Sequence, residues 1–510
     1  VVTREGRRTW LLPLAVVAAV VLLRAGFMGL PPGDPDLGGI AYNARLLLRG
    51  GLPYVDTFEQ KLPGTFFLWA GIFAIGGTGP SALAVATLLW HIALAGVIYA
   101  ICRTVWGSGP AAAGALMYAV FSASPAVAGT VPNYETWMLL PLLVALWLVL
   151  RWMDRGGAWA VLSAGAAASV GLLMKQQAVF NVALLAAAVL IVGWRTGGLR
   201  RGIGACSLFA VGGAVPGLLL LGFFVTRGAW PALVECLNPR GLAAYSTAAP
   251  WRVVWELGAK HTREVMLEGI ALWTLGLTGA VLLLTPRHSS APVGSRLLLL
   301  GWGVASFAGV AAGVRFFHHY YLQFLPFLAI GAAGAWAELR PKPRSALGVL
   351  LAVLVVASGW RTFMVNERVL WWRVKNLVTG AHVPPSLSQQ VAAYVRSRTA
   401  TDEAIYVWGH GEDIYHLAGR FAPTRYYKYW AFLNPPPVGT GRLTANPRAR
   451  MYLEEFLSDM RARPPRFIVV DPRMSEASPD LVPEFADLLH HRYRPARTFE
   501  SIRVYSRLER

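Results

Sequence analysis

Apolar residues run almost unbroken through twelve stretches of the first 360 positions, at roughly 10–30, 62–77, 80–101, 110–128, 136–150, 158–174, 178–194, 203–225, 265–284, 296–313, 319–337 and 345–359. Most have the ~17–25 residues that a helix needs to cross a hydrocarbon layer ~30 Å thick, and short arginine- and glycine-bearing turns separate them. The second stretch is the exception. It opens on Pro63-Gly64 and closes on Gly76-Gly77, a length that suits an interfacial or re-entrant helix better than a crossing. The pattern therefore predicts a polytopic α-helical membrane protein of about eleven spans.

With that parity one set of turns falls on a single side: Arg4/Arg7/Arg8, Arg103, Arg151/Arg155, Arg195/Arg200/Arg201, Arg287/Arg296 and Arg340/Lys342/Arg344, opposed only by Glu5, Asp154 and Glu338. A basic side is the cytoplasmic side. The N-terminus is thus expected in the cytoplasm of a plasma (inner) membrane protein. The 33–65 loop, the 129–135 turn, Lys175-Gln176-Gln177, the 226–264 segment, Arg315–His319 and everything after Trp360 then lie outside.

Past residue 360 the pattern changes to shorter periods. A helix is expected at 386–398, a strand at 404–408, a short helix at 412–418, a Pro/Gly-rich loop at 434–441, a helix near 447–462, a buried strand at 466–470, a helix at 479–490 and a strand pair near 497–507. Two domains result: a transmembrane part, 1–360, whose outer loop 33–79 bears interfacial helices, and an extracytoplasmic α/β domain, 361–510. The GHGEDIYHLAG stretch after the first of these strands lacks the spacing of a dinucleotide-binding glycine loop.

Composition agrees with the membrane reading: 55% hydrophobic, 15% charged and mean hydropathy +0.46. The net charge of +20 comes largely from turn arginines, so it points to anionic lipid headgroups and not to nucleic acid. Cys102, Cys206 and Cys236 lie too far apart to suggest a disulfide framework or a metal motif. The basic head and apolar body of residues 1–30 are interrupted by Arg24 without a small-residue cleavage site, which favours an uncleaved first span.

Candidate chemistry gathers in the 33–65 loop. Asp34 and Asp36 precede a short helix that places Ile40, Ala44, Leu47 and Leu48 on one face and Asn43, Arg45 and Arg49 on the other, with Gly50-Gly51 ending it. Asp36 has an ordinary reading as a helix N-cap and a functional one as a surface carboxylate able to take a proton or hold a divalent cation. Glu135 has the same two readings as a solvated or a functional acid. Lys61 and Lys175 either snorkel to the interface or turn inward to hold a phosphate. Arg315, His318 and His319 cluster at the mouth of a span; adjacent histidines rarely chelate one ion, so this run fits a lipid phosphate better than a metal.

Asp36, then Ala44-Arg45-Leu46-Leu47, Gly50, Pro53-Tyr54 and Phe58-Glu59-Gln60-Lys61-Leu62-Pro63-Gly64 resemble the first outer loop of the GT-C glycosyltransferases, in the branch of the protein O-mannosyltransferases and aminoarabinose transferases. Asn133-Tyr134-Glu135, Leu173–Gln177 and Arg315–Pro326 continue the match over roughly residues 10–340. Here Leu37 stands where many relatives have a second acid, and Lys-Leu-Pro replaces Lys-Pro-Pro. The resemblance implies transfer of a sugar from a polyprenyl-phosphate carrier to a protein, lipid or glycan acceptor on the non-cytoplasmic face, with inversion. It implies Asp36 as the catalytic carboxylate, Glu135 as the second acid, and Lys61, Glu59, Tyr54, Lys175, Arg315, His318 and His319 around donor and phosphate. No cofactor is required by the sequence; magnesium or manganese on Asp36 and Glu135 is the arrangement expected if a cation is used. The rival class is a lipid or polysaccharide transporter or flippase, which predicts internal repeats.

Overall fold

The computed structural model of the chain describes residues 4–28, 35–238, 250–285, 289–340, 345–380, 384–434, 442–443, 446–473 and 478–508. Asp34, Arg287, Lys342, Arg344 and nearly all of the expected 434–441 loop lie outside the described residues. The chain divides into two compact units, Val1–Leu30, Gly79–Leu220 and Val254–Ala381 in one, and Pro31–Thr78, Leu221–Val253 and His382–Arg510 in the other.

The first unit is helical. Among the described residues five helices are long and apolar enough to cross a membrane: Pro80–Trp106, Tyr134–Arg155, Gln176–Thr226, Val293–Ala311 and Ala346–Thr379. Trp251–Glu268 and Ile270–Leu284 would add a sixth as a pair bent by 97°. Shorter apolar helices are Leu11–Ala25, Ser108–Phe121, Ala158–Met174 and Leu325–Leu339, with Gly64–Gly76 in the second unit. The two runs expected at 178–194 and 203–225 occupy one continuous helical stretch, broken by non-helical backbone at Gly197 and Gly198. Gly198 has φ +79, which only glycine adopts at little cost. A Cβ on Gly202 would meet the Leu190 carbonyl oxygen at 2.7 Å, so the stretch folds back on itself as a tight hairpin. The Ala346–Thr379 helix runs through the boundary expected at residue 360.

Small residues let these helices touch backbone to backbone. A Cβ on Gly165 would lie 1.9 Å from the Phe209 carbonyl oxygen, and one on Gly279 1.8 Å from that of Gly331. Such contacts replace the hydrophobic drive that is absent between helices in lipid. Arg24 is buried in the same unit: it donates to Ser122 Oγ (2.8 Å) and the Ala119 carbonyl (3.4 Å), and its Nη2 lies 3.3 Å from His91 Nδ1. Arg296, read from sequence as part of a basic turn, lies instead inside Val293–Ala311. It is buried and donates to the Leu283 carbonyl at 2.7 Å, satisfying the end of the preceding helix.

The second unit is α/β. Its strands are β1 (Ile405–Gly409), β2 (Leu433–Asn434), β3 (Arg442–Leu443), β4 (Phe467–Asp471), β5 (Tyr493–Phe499) and β6 (Ile502–Arg507). The main sheet has the order β1-β4-β6-β5. β1 and β4 are parallel, with Ile405 opposite Phe467 and Gly409 opposite Asp471, while β6 is antiparallel to both neighbours. Both parallel strands are buried along their length, as their unbroken apolar runs require. The Leu387–Arg396 helix opens on a capping box, Ser386 with Gln389. The Pro35–Leu48 helix belongs to this unit. Ile40 and Ala44 are buried as their spacing predicts, but Asn43, assigned to the polar face, is buried too, and Leu48 is exposed. Asn43 enters the core because it is fully engaged: it donates to the Gly39 carbonyl (2.9 Å) and accepts from Thr57 Oγ1 (2.7 Å).

Candidate functional site

Two clusters collect the residues singled out above. In the second unit, Asp36 lies in the first turn of Pro35–Leu48, inside the helix and not at its cap, where the unpaired N–H groups favour a carboxylate. Lys61 Nζ is 3.1 Å from Asp36 Oδ1, and the two side chains retain 27% and 36% of their exposure, open enough for a ligand to reach them. Tyr54 supports Lys61 from behind. Its hydroxyl donates to the Lys61 carbonyl at 2.7 Å, and its own carbonyl accepts from Arg425 at 3.0 Å. Tyr54 holds φ +71, a conformation costly for a bulky residue and sustained here by contacts on every side.

Glu59 is 2% exposed, and its Oε2 accepts from Lys428 Nζ (2.6 Å) and the Tyr427 hydroxyl (2.8 Å). Burial alone would raise its pKa, but the charges of Lys428 and Lys61 and these two hydrogen bonds outweigh it and hold the carboxyl below the usual range.

Sequence reasoning missed Lys428, Tyr427, His410 and Glu412. The glycine-containing stretch dismissed as a nucleotide loop follows β1, and packs its helix, Glu412–Ala418, against Pro35–Leu48. A Cβ on Gly38 would fall 2.2 Å from the Asp413 nitrogen and 2.4 Å from the Glu412 carbonyl carbon. Burial pushes His410 down to about 4, opposed by the charge of Asp36, so its imidazole is neutral at pH 7. Burial pushes Glu412 up to about 8 against the pull of Lys428, with Asp36 and Asp413 adding to the rise. The available signal was positional: loops beyond the carboxyl ends of parallel strands are where α/β sheets place ligand-handling groups.

In the first unit, Lys175 is ion-paired with Glu135, and both are almost wholly buried. Neither side chain is the solvated or snorkelling group that the ordinary reading expects. Asn133 caps the Tyr134–Arg155 helix by accepting from the Tyr134 N–H, which sets Glu135 in the first turn. Glu135 Oε2 has no hydrogen-bond partner among the described residues. His319 Nε2 is 3.8 Å from Glu135 Oε1, and the Lys175 ammonium sits 4.2 Å from the centre of the Tyr320 ring. Arg315 is buried, between Val314 and Phe316, which both hold positive φ (+49 and +48). His318 turns to a different partner: its Nε2 is 2.8 Å from Glu264 Oε2.

Residues 60–218 match the family model described as dolichyl-phosphate-mannose-protein mannosyltransferase. ArnT from Cupriavidus metallidurans, solved bound to undecaprenyl phosphate, matches with TM-score 0.64 at 14% identity over 97% of each chain. The fold is that of the GT-C glycosyltransferases. The oligosaccharyltransferase AglB from Archaeoglobus fulgidus, solved with an inhibitory peptide and a dolichol-phosphate, shares it with TM-score 0.53 at 13% identity, over 99% of this chain and 75% of that one. Comparison with curated protein sequences gives no match.

Proposed function

We propose that this chain is an integral-membrane glycosyltransferase that moves a sugar from a polyprenyl-phosphate carrier to an acceptor on the extracytoplasmic face, with inversion and with Asp36 as general base. The observation that carries the reading is the Asp36–Lys61 pair, a reachable carboxylate beside a reachable ammonium on a fold whose solved representatives bind lipid phosphates. The acceptor oxygen attacks the anomeric carbon as its proton passes to Asp36. The bond from that carbon to the phosphate oxygen breaks, and the carrier leaves as an anion. Arrival of the donor phosphate draws the Lys61 ammonium from Asp36. The carboxylate thereby regains basicity only when donor is present.

Within the first unit, Glu135 is the second acid, and Lys175, Arg315 and His319 are cations of the kind a phosphate would meet. Tyr54 and Glu59 act by holding Lys61 and Lys428 in place. Each carboxylate has an ammonium beside it, so charge compensation runs through lysine where magnesium or manganese would otherwise serve. About eleven crossings follow if Val179–Thr226 is counted on both sides of its break and Gly64–Gly76 is left out. In this reading, which rests on the basic turns of the sequence, the N-terminus is cytoplasmic and the α/β domain lies outside.

The test is to incubate the full chain in detergent with a panel of radiolabelled polyprenyl-phosphate sugars and candidate acceptors. Label moving from one donor to an acceptor supports the reading. Label that stays on every donor, while the lipid crosses a vesicle bilayer containing the protein, would establish the flippase instead.

A further inference from the structure

His261, Glu264 and His318 converge. Their ligand atoms all lie within 4.8 Å of one another, the one such group of three found among the described residues. His261 and Glu264 are three residues apart on Trp251–Glu268 and so share a face. His318 comes from the turn after Val293–Ala311, its ring centre 4.3 Å from that of His261 and its Nε2 2.8 Å from Glu264 Oε2.

The second observation concerns the proton on His261. Its Nδ1 is 2.9 Å from the Phe316 carbonyl oxygen. A carbonyl only accepts, so Nδ1 carries the hydrogen and Nε2 is left with a lone pair. Metal-binding histidines are prepared in this way, the outer nitrogen donating to a backbone carbonyl so that the inner one is fixed in direction and more basic. The acceptor is itself held in place. Phe316 adopts φ +48, and its ring rests on Gly258, where a Cβ would meet it at 3.1 Å.

We propose that His261, Glu264 and His318 form a binding site for a divalent transition-metal ion of the zinc class. Two imidazole nitrogens exclude magnesium and calcium, which take oxygen ligands, and favour zinc and its neighbours. Three protein ligands leave a fourth tetrahedral position for water or an anionic oxygen. The ion ties the Trp251–Glu268 helix to the turn that carries Arg315 and His319, holding that turn in its positive-φ conformation. Sequence reading set metal aside because adjacent histidines rarely share an ion; that holds for His318 and His319, which face Glu264 and Glu135 respectively. The partners of His318 lie 54 and 57 residues upstream.

The experiment uses the full chain in detergent, stripped with a chelator and titrated with zinc against a chromophoric competitor, then with cobalt for its visible absorption. One zinc per chain is expected, with a four-coordinate cobalt spectrum. His261→Ala and His318→Ala should each weaken zinc by more than the ~10–100-fold that loss of an outer partner costs. Glu264→Gln, which keeps the shape, should weaken it as well. In chelator all variants should unfold at the wild-type temperature, and zinc should raise that temperature only in the wild type. Absence of stoichiometric zinc in the wild type overturns the site, as does zinc retained by the double histidine variant. Variants that melt early in chelator, with no response of the wild type to zinc, would leave only a His–Glu ion pair. None of these readouts depends on transferase activity.

Discussion

The ammonium of Lys61 lies 3.1 Å from the carboxylate of Asp36, while the backbone carbonyl of Lys61 is held at 2.7 Å by the hydroxyl of Tyr54. The side chain of this lysine can move; its backbone cannot. Asp36→Asn should therefore lower transfer by ~10²–10⁴-fold, the usual contribution of a general base, with donor affinity near the wild-type value. Lys61→Ala should instead weaken donor binding. Turnover by purified Asp36→Asn equal to wild type would remove the proposed base.

Gly38 has no room for a side chain, since a Cβ would fall 2.2 Å from the Asp413 nitrogen, in a helix that shares its unit. Backbone cannot yield as a flexible side chain does, so Gly38→Ala should cost at least ~1–3 kcal/mol and expose the Glu412–Ala418 helix to proteolysis. Gly71→Ala is the matched control, because its Cβ would meet nothing within 4 Å. There the substitution should be neutral or stabilising by ~0.4–1 kcal/mol. Equal melting temperatures for the two variants would refute the close packing.

Glu59 is the buried partner of Lys428, and removing one member of such a pair strands the other. Glu59→Gln should destabilise by ~3 kcal/mol in denaturant titrations. Because the folded pKa is held below the unfolded value, the Glu59 contribution is present above the ordinary carboxylate pKa and is lost as pH falls through the folded one. Wild type and Glu59→Gln should converge in stability toward acid pH.

Glu412 has the opposite sign. Its folded pKa of about 8 exceeds the unfolded value of 4.5, so its stabilisation is complete below the latter and fades as pH rises through 8. Glu412→Gln should flatten that part of the stability curve and make the protein relatively more stable above pH 8. A stability curve identical to wild type across that interval would place the carboxyl in solvent.

How much of this was legible depended on sequence distance. The Glu412–Ala418 helix, the β1 and β4 strands and the capped helix from Leu387 follow from local periodicity and capping, and they stand where the pattern put them. The partners of the key acids do not follow. Lys428 reaches Glu59 across 369 positions, and Lys175 reaches Glu135 across 40, with no periodic signal to connect them. Asn43 shows the limit within one helix: polarity argued for the surface, but two of its hydrogen-bonding neighbours, Thr57 and Tyr427, were supplied by other segments, and a satisfied amide is at home in a core.

Arg24 imposes an order on biogenesis. It emerges from the ribosome in the first apolar helix, whereas His91, Ala119 and Ser122, which later surround its guanidinium, are 67 to 98 residues behind. Until they arrive, the leading helix carries a charge that lipid disfavours. Its final seating must wait for the Pro80–Trp106 and Ser108–Phe121 helices, so these segments are expected to settle together and not one helix at a time.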